Sequence, residues 1–300
     1  MKVFMTGANG FVGTNLSRTL TSEGIQVTAL IRNESKKGNL PAEVSIAVGD
    51  PTRPGKWQEA VQDHDVIINL AGATMFRRWT RAYKRLIRES RILTTRNLVD
   101  ALGSHGSATL LSTSGVGYYG FTGDEVLDET SAAGSDFLAT LAQDWEAEAF
   151  AAREKGARVV ATRFGVVLGS DGGALAQMVL PFRFFIGGPL GNGNQWFSWI
   201  HVQDLCRAAL FVASNTGIEG PVNFTAPDPV RNRDLAKAIG QVLHRPAIMP
   251  APAFMINALL GEFGSVILKG QRVVPKKLLE AGFSFEHPDI TAALESLLKG

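Results

Sequence analysis

The chain has few of the residues that bind metals or form covalent cross-links. It contains a single cysteine, Cys206, among 300 residues, which excludes an intrachain disulfide. Its histidines lie far apart in the sequence, and none has a second ligand at the spacing of a metal site. They are His64, His105, His201, His244 and His287. The sequence therefore predicts that the protein binds no metal ion.

Neither a strong charge of one sign nor a long apolar run is present. The formal net charge is +2, which gives no case for nucleic acid or a membrane as a bulk partner. The most apolar segment, 247–260, contains Pro250 and Pro252 and is too short to span a bilayer. Because no charged and apolar leader is visible either, we expect a cytoplasmic protein. The chain is 45% hydrophobic and 19% charged, enough for one large domain or a domain with a smaller lobe.

A glycine-rich turn follows the first apolar run of the chain. The segment Thr6-Gly7-Ala8-Asn9-Gly10-Phe11-Val12-Gly13 comes after a short strand-like stretch, and the apolar residues beyond it recur on one helical face. In this strand–turn–helix order, Gly7 permits the tight turn, Gly10 the close approach of a pyrophosphate, and Gly13 the packing of helix on strand. The alternative is an ordinary loop that needs positive φ at several positions. The context favours a dinucleotide site contacted by Gly7, Gly10, Phe11, Val12 and Gly13.

Further apolar stretches alternate with helical ones along the chain. They predict strands at 26–31, 44–48, 65–70, 108–113, 158–162 and 220–226. Such alternation indicates an α/β fold, a doubly wound parallel sheet of the Rossmann type with a smaller C-terminal substrate lobe. We expect a dinucleotide-binding domain at 1–169, to which 200–225 return. The substrate lobe then comprises 170–199 and 226–300.

The end of the second predicted strand bears on the choice of cofactor. Ile31 is followed by Arg32, about twenty residues past the glycines, where an acid would hold the ribose hydroxyls of NAD. An arginine at this position suits the 2′-phosphate of NADP, and Lys36 and Lys37 follow closely. A solvated basic loop is the alternative. The residues at this strand end favour NADP.

A strongly basic segment predicts a helix from Arg77 to Arg91. Its apolar stripe is Trp79, Tyr83 and Ile87. Most of its charges are therefore expected on a solvated face.

Several motifs together resemble one protein family. The glycines are spaced Gly-x-x-Gly-x-x-Gly, the fifth strand ends in Ser112-Thr113-Ser114 before Tyr118-Tyr119-Gly120, and Arg-Phe-Gly-Val-Val-Leu-Gly stands at 163–169. Further stretches are a helix ending in Asp144-Trp145-Glu146, the loop 189–199 and Gly-Gln-Arg-Val-Val-Pro-Lys-Lys-Leu at 270–278. On these motifs the chain resembles the extended short-chain dehydrogenase/reductases of the NAD-dependent epimerase/dehydratase superfamily. It is similar in particular to their atypical branch, called "epimerase family protein" and sometimes "cell-division inhibitor, SulA-like". The resemblance extends over essentially the whole chain.

The resemblance implies further cofactor contacts. Asp50 is expected beside the adenine, and the turn Leu70-Ala71-Gly72 along the cofactor. Arg91 stands where the superfamily has an asparagine that reaches the cofactor, and an arginine there can pair with the pyrophosphate. Val166 belongs to the turn that closes over the nicotinamide. His201 is expected to be a structural hydrogen-bonding residue and not a base.

The resemblance fails at the catalytic pair. Enzymes of this superfamily use a tyrosine with a lysine four residues later, and none of the three tyrosines in this chain has one. We therefore hypothesise that Ser114 orients the substrate oxygen and that Tyr118 exchanges its proton, slowly near neutral pH and faster at alkaline pH. Alternatively, the hydroxyls of 112–114 only cap the turn after the strand.

Two functions fit these residues. The first is an NADP-dependent oxidoreductase or epimerase that acts on a small substrate, with a nucleotide-linked one among the options. The second is a catalytically impaired protein that binds NADP as a sensor or regulator, as the cell-division label of the branch implies. The missing Tyr-Lys pair favours the second, whereas the hydroxyl cluster and the glycine- and tryptophan-rich loop at 187–199 favour the first. A homo-oligomer is compatible with both.

Overall fold

The computed structural model describes residues 1–103 and 108–299, and His105 lies outside this part of the chain. The strands are β1 (Lys2–Thr6), β2 (Gln26–Ile31), β3 (Ser45–Val48), β4 (Val66–Asn69), β5 (Thr109–Gly115), β6 (Val126–Leu127), β7 (Arg158–Phe164), β8 (Val166–Leu168), β9 (Trp196–Phe197), β10 (Trp199–His201), β11 (Gly220–Phe224), β12 (Val230–Arg231) and β13 (Arg272–Val273). The α-helices are α1 (Phe11–Ser22), α2 (Arg81–Ala101), α3 (Phe137–Phe150), α4 (Leu175–Arg183), α5 (Val202–Ser214), α6 (Asn232–Leu243), α7 (Ala253–Leu260), α8 (Glu262–Ile267), α9 (Lys276–Glu280) and α10 (Ile290–Leu298). Short 3₁₀ helices occupy Glu34–Lys36, Lys56–Asp63, Val116–Tyr119 and Ala151–Lys155. Within the described residues, none of these helices combines the length and apolar character needed to cross a bilayer.

Seven strands form a parallel sheet in the order β11-β7-β5-β4-β1-β2-β3. Strand β1 lies between β4 and β2, with Val3 opposite Val66 on one side and Val27 on the other. The chain thus builds the sheet in one direction through β3 and then in the other direction from β4. Ligands of such sheets bind beyond the carboxyl ends of the strands at this point of reversal. The predicted doubly wound fold is confirmed.

The sheet is buried on both faces, which explains its nearly continuous apolar strands. Val3 and Met5 of β1 face a core that includes Leu16 of α1 and Leu205 of α5. Phe4, between them in sequence, faces the opposite core, which includes residues of α2 and α3. This alternation follows from the two-residue period of a strand.

The C-terminal part forms two further cores with other elements of the chain. One contains Trp199 and Leu235 with residues of α4, α6 and α10. The other joins Trp79 and Ile87 to Phe263 of α8, and Lys84 pairs with Glu262 across the same contact at 2.8 Å. Strand β11 pairs with β7 in the main sheet. The division into a dinucleotide domain and a substrate lobe stays a prediction.

The basic helix begins later than its charge pattern predicted. It starts at Arg81, because the Thr80 hydroxyl accepts the backbone N–H of Tyr83 at 3.1 Å and caps it. The prediction that the helix begins at Arg77 was therefore wrong. Trp79, which precedes the helix, is nonetheless buried with Ile87.

Candidate cofactor and active site

The first turn of the sheet requires glycine at two positions. Gly7 has φ +69°, and a Cβ atom there would lie 2.7 Å from the carbonyl carbon of Leu70. A Cβ atom at Gly13 would collide with the backbone of Gly7 and Ala8. The turn after β1 is thereby held directly against the turn after β4.

The N-terminus of α1 leaves its backbone amides available. Gly10 is its N-cap and provides no side-chain oxygen, and no acid lies in the first turn. Thr14 donates its N–H to the Gly10 carbonyl at 2.9 Å, so the helical bonds begin only there. Unpaired amides at a helix N-terminus, with the positive end of the helix dipole, suit an anion.

A glycine-rich segment covers Phe11, the first residue of α1. A Cβ atom at Gly172 or at Gly173 would lie 2.7 Å from the Phe11 ring. Asp171 in the same segment accepts hydrogen bonds from Asn15 at 3.3 and 3.4 Å. Sequence reasoning did not place this segment on α1. The only signal was the glycine spacing at 169–173.

Arg32 lies at the open end of β2. Its side chain is 66% exposed, and its Nε atom is 3.9 Å from Asp50 Oδ1. Burial raises the pKa of Asp50, but hydrogen bonds from Thr52 and the charges of Arg32 and Arg53 outweigh it and leave that pKa lowered. Asp50 thus stays a carboxylate beside Arg32. The adjoining Ile31 is buried.

Arg91 lies beneath the turn after β4. Its side chain is buried, with Nη1 donating to the carbonyls of Ala73 and Ile87 at 3.1 Å each. A Cβ atom at Gly72 would lie 2.9 Å from the Arg91 guanidinium carbon. Among the described residues no carboxylate pairs with this guanidinium, and its Nε atom is buried without a hydrogen-bond partner. Burial lowers the pKa of Arg91 to about 10.

A network of buried polar side chains connects the ends of β1 and β4 to α2 and α3. Thr6 donates to Asn69 Oδ1 at 2.7 Å, and Asn69 Nδ2 donates to Thr95 at 2.8 Å. Trp145 of α3 donates to the same Thr95 oxygen at 2.8 Å. Sequence analysis missed this hydrogen-bonded network, because its side chains come from four separate elements.

Ser114 is hydrogen-bonded to a buried ion pair. Its Oγ atom donates to Glu146 Oε1 at 2.7 Å. Arg163 donates to the same carboxylate through Nε and Nη2, both at 2.8 Å. All three side chains are buried. Burial by itself lowers the pKa of Arg163, but the hydrogen bonds and charge of Glu146 outweigh it and raise that pKa.

The two neighbouring tyrosines have different environments. The hydroxyl of Tyr119 accepts from Arg163 at 3.0 Å and donates to Asn223 at 2.6 Å. Burial raises the pKa of Tyr119 to about 12. Tyr118 is half-buried, and the Arg163 guanidinium carbon lies 3.4 Å from the centre of its ring. Of the two, Tyr118 is the phenol that does not donate to a buried residue.

Val166 and His201 lie on the paired strands β8 and β10. Val166 is opposite Trp199, and its N–H donates to Ser198 at 2.8 Å. His201 is buried and caps α5, accepting from the Gln203 N–H at 3.1 Å through Nδ1. Its ring stacks on His287 with centres 3.8 Å apart. His201 is thus a structural hydrogen-bonding residue, as predicted.

The predicted site residues therefore gather at one edge of the sheet. The glycine turn, Arg32, Asp50 and the turn Leu70-Ala71-Gly72 follow the carboxyl ends of β1 to β4. Ser114 lies near the carboxyl end of β5 in the same sheet, and Tyr118 lies in the 3₁₀ helix that follows this strand. Arg163 and Glu146, which orient both, were not predicted as site residues. In the part of the chain described, no three histidine, cysteine or acidic side chains come together as a metal site would require.

Two family models match the chain. The model of the NAD-dependent epimerase/dehydratase family matches residues 3–223. The chain belongs to this family. A second model, a domain of unknown function, matches residues 251–297, which hold α7 to α9 and all of α10 except its last residue.

Similar proteins agree with this assignment. The chain is 40% identical, over 100% of its length and 87% of the other protein, to the chloroplastic epimerase family protein SDR39U1 homolog of Arabidopsis thaliana. The crystal structure of human epimerase family protein SDR39U1 with NADPH superposes with a TM-score of 0.87 at 31% identity, over 100% of both chains. A nucleoside-diphosphate sugar epimerase from Corynebacterium glutamicum gives a TM-score of 0.80 at 32% identity, over 99% of this chain and 58% of the other. The predicted family and branch are confirmed.

Proposed function

We propose that the protein is an NADP-dependent oxidoreductase or epimerase whose site lies at the carboxyl edge of the sheet. The observation that supports this most directly is Arg91. A buried guanidinium without an acidic partner is costly, by several kcal/mol, unless an anion completes the site. The turn Leu70-Ala71-Gly72 lies directly over it, so a phosphate group beside that turn supplies the missing charge.

The remaining cofactor residues fit the same molecule. The bare N-terminus of α1, with Gly10, Phe11, Val12 and Gly13, suits a pyrophosphate. Arg32 is exposed at the end of β2 and suits a 2′-phosphate. The presence of NADPH in the crystal structure of the human relative supports this assignment. Asp50 and Val166 complete the proposed contacts at the adenine and nicotinamide ends.

When bound, the nicotinamide accepts or donates a hydride, and the chain supplies the proton chemistry. Tyr118 is proposed to exchange the substrate proton, because its hydroxyl donates to no buried acceptor among residues 1–103 and 108–299. Ser114 has one hydrogen, which goes to Glu146, so its oxygen can only accept from a substrate. We therefore propose that Ser114 orients a substrate hydroxyl rather than polarising a carbonyl.

The proposed substrate is nucleotide-linked. The glycine-rich loop at 187–194 leads into Trp196, whose ring lies 3.9 Å from the Arg231 guanidinium carbon and 4.6 Å from that of Arg272. Trp196 Nε1 donates to Asp124 at 2.9 Å. An aromatic ring with arginines close to it suits a base and a phosphate. The Corynebacterium relative is described as a nucleoside-diphosphate sugar epimerase, which supports the same class.

A second function is favoured by the environment of the hydroxyls. The Ser114 hydroxyl donates its hydrogen to Glu146 of a buried ion pair. The pKa of the Tyr119 phenol is raised to about 12, which makes it a poor proton donor near neutral pH. A protein with this site can bind NADP and act as a sensor or regulator. The cytoplasmic location and a homo-oligomer stay predictions under either function.

Cofactor titration and a substrate panel test the proposal. NADPH and NADH are titrated against the parent, Arg32→Gln and Lys237→Gln. One charge-assisted hydrogen bond contributes about 1.5 to 3 kcal/mol, so Arg32→Gln should reduce the preference for NADPH by roughly ten- to a hundredfold. Lys237→Gln, on an exposed lysine of α6, is the control and should leave the preference unchanged. Equal affinities for both cofactors in the parent contradict the NADP assignment. NADPH binding without turnover in a broad panel of carbonyls and nucleotide sugars supports the regulatory function.

A further inference from the structure

An exposed apolar run follows α4. Phe184, Phe185 and Ile186 are 68%, 57% and 55% exposed. Single exposed apolar residues are ordinary on protein surfaces, but contiguous ones mark a contact with another molecule or a membrane. This run leads directly into the glycine-rich loop beside the proposed substrate site.

A second exposed apolar segment lies against the first. The Met249 N–H donates to the Gly187 carbonyl at 3.1 Å, and the Ala251 N–H donates to Pro189 at 2.9 Å. Ile248 is 80% exposed, and Met249 is exposed beside it. These bonds make the two segments one continuous surface.

Helix α7 extends that surface. Phe254, Met255 and Leu259 are exposed, and only Ile256 of the helix is buried. A helix with its apolar residues in water lacks a covering partner. We call residues 184–186 and 248–249 with the exposed side of α7 the apolar face.

Phe185 is held in a strained backbone conformation. Its φ is +62°, in the left-handed region. The N–H groups of Ile186 and Phe185 donate to Pro181 and Phe182 at 3.0 Å each, which is the helix ending that glycine normally completes. A phenylalanine in this conformation costs stability and gains little burial. The guanidinium carbon of Arg245 lies 4.5 Å from the centre of its ring. Such a side chain is explained by use outside the chain itself.

The two chain segments that form the apolar face contain basic residues and no acidic residue. No acidic residue occurs between Asp171 and Asp204, or between Asp234 and Glu262. Arg183 and Arg245 lie in these segments and are exposed. Among residues 1–103 and 108–299, neither arginine has a carboxylate within ion-pair distance. The net charge of +2 for the whole chain conceals this local excess.

We propose that the apolar face docks onto an anionic phospholipid surface. Its apolar side chains enter the boundary of the headgroups, and Arg183 and Arg245 contact the lipid phosphates. A symmetric contact with a second copy is disfavoured. It would bring Arg183 and Arg245 of both copies together, and these two segments of the chain contain no acidic residue to pair with them. The proposal does not depend on the enzymatic function.

Vesicle sedimentation of the full chain tests the proposal. We expect binding to vesicles of equal parts phosphatidylcholine and phosphatidylglycerol, little binding to phosphatidylcholine alone, and loss of binding in high salt. Arg183→Gln and Arg245→Gln should each weaken binding about fivefold. Leu259→Ser should weaken it roughly tenfold, whereas Leu279→Ser, an exposed leucine of α9 outside the apolar face, should not.

Phe185→Gly separates docking from folding. Glycine relieves the backbone strain, so the thermal midpoint should stay the same or rise while vesicle binding falls. His244→Gly is the matched control, because His244 is the other described non-glycine residue with positive φ, at 54°, and lies outside the apolar face. Equal binding to both vesicle types, binding to neither, or a lipid-free dimer or protein complex abolished by Leu259→Ser would overturn the proposal.

Discussion

The Ser114 hydroxyl donates to Glu146 at 2.7 Å, so the serine at the end of β5 is fixed by a carboxylate on α3. Glu146 is in turn held by two hydrogen bonds from Arg163. Arg163 also donates to Tyr119 and stacks on Tyr118. One buried ion pair thus orients the serine and both tyrosines of the proposed site.

Replacing Glu146 should destabilise the protein strongly. Glu146→Gln leaves the Arg163 guanidinium buried without its counter-charge, which costs about 3 to 5 kcal/mol of unfolding free energy. Glu148→Gln is the control, because Glu148 pairs with the more exposed Arg96 and such pairs contribute about 0 to 1 kcal/mol. Urea unfolding measures both. Equal losses would show that the Glu146–Arg163 pair is not buried as described.

Replacing Arg91 should separate binding from stability. Arg91→Met removes a buried charge that has no carboxylate partner among the described residues, so the thermal midpoint without cofactor should stay unchanged or rise. The same change should weaken NADPH binding roughly tenfold or more. Arg85→Met, on an exposed arginine of the same helix paired with Glu89, should leave the affinity unchanged. A large loss of stability with full affinity would assign Arg91 a structural role.

The two tyrosines should respond in opposite ways to loss of the hydroxyl. Tyr119→Phe leaves the Asn223 oxygen without its donor, at a cost of about 1 to 3 kcal/mol in stability, with little effect on turnover at saturating cofactor. Tyr118→Phe should change stability by less than about 0.5 kcal/mol and reduce turnover by roughly 10² to 10⁴. Unfolding curves and single-turnover rates on one substrate measure these effects. Full turnover by Tyr118→Phe would exclude it as the proton-exchanging group.

Stability should fall in mild acid because of His201. Burial, and then the neighbouring His287, lower the pKa of His201 from 6.5 to about 4. Between these values the unfolded chain binds a proton that the folded chain does not. The neutral, buried His201 therefore contributes its full stabilisation above about pH 6.5. As the pH falls toward 4, the free energy of unfolding decreases by about 2 to 3 kcal/mol. His201→Asn keeps an oxygen that can accept the Gln203 N–H, and it should flatten the pH dependence of the free energy of unfolding in that range. An unchanged slope would show that other groups cause the pH dependence.

The sequence alone determined the sheet and the position of the glycine turn after β1. Glycine at 7, 10 and 13 restricts the backbone locally, and apolar runs such as Val3-Phe4-Met5 specify buried strands, so both signals are readable within a few residues. The place of Arg32 at the end of β2 was predictable for the same reason, whereas its contact with a cofactor stays a prediction. The missing Tyr-Lys pair is likewise a property of spacing along the chain.

Only the tertiary structure decided which side chains meet. Ser114 and Glu146 are 32 positions apart, and nothing in the pattern of α3 distinguishes Glu146 from an acid on a solvated face. Three other features also depend on how separate elements pack. They are the burial of Arg91 without a carboxylate partner among the described residues, the contact of Gly172 and Gly173 with Phe11, and the continuity of the apolar face. Local sequence encodes backbone conformation and periodicity, whereas the partner of a buried charge is set by neighbours that only the folded chain brings together.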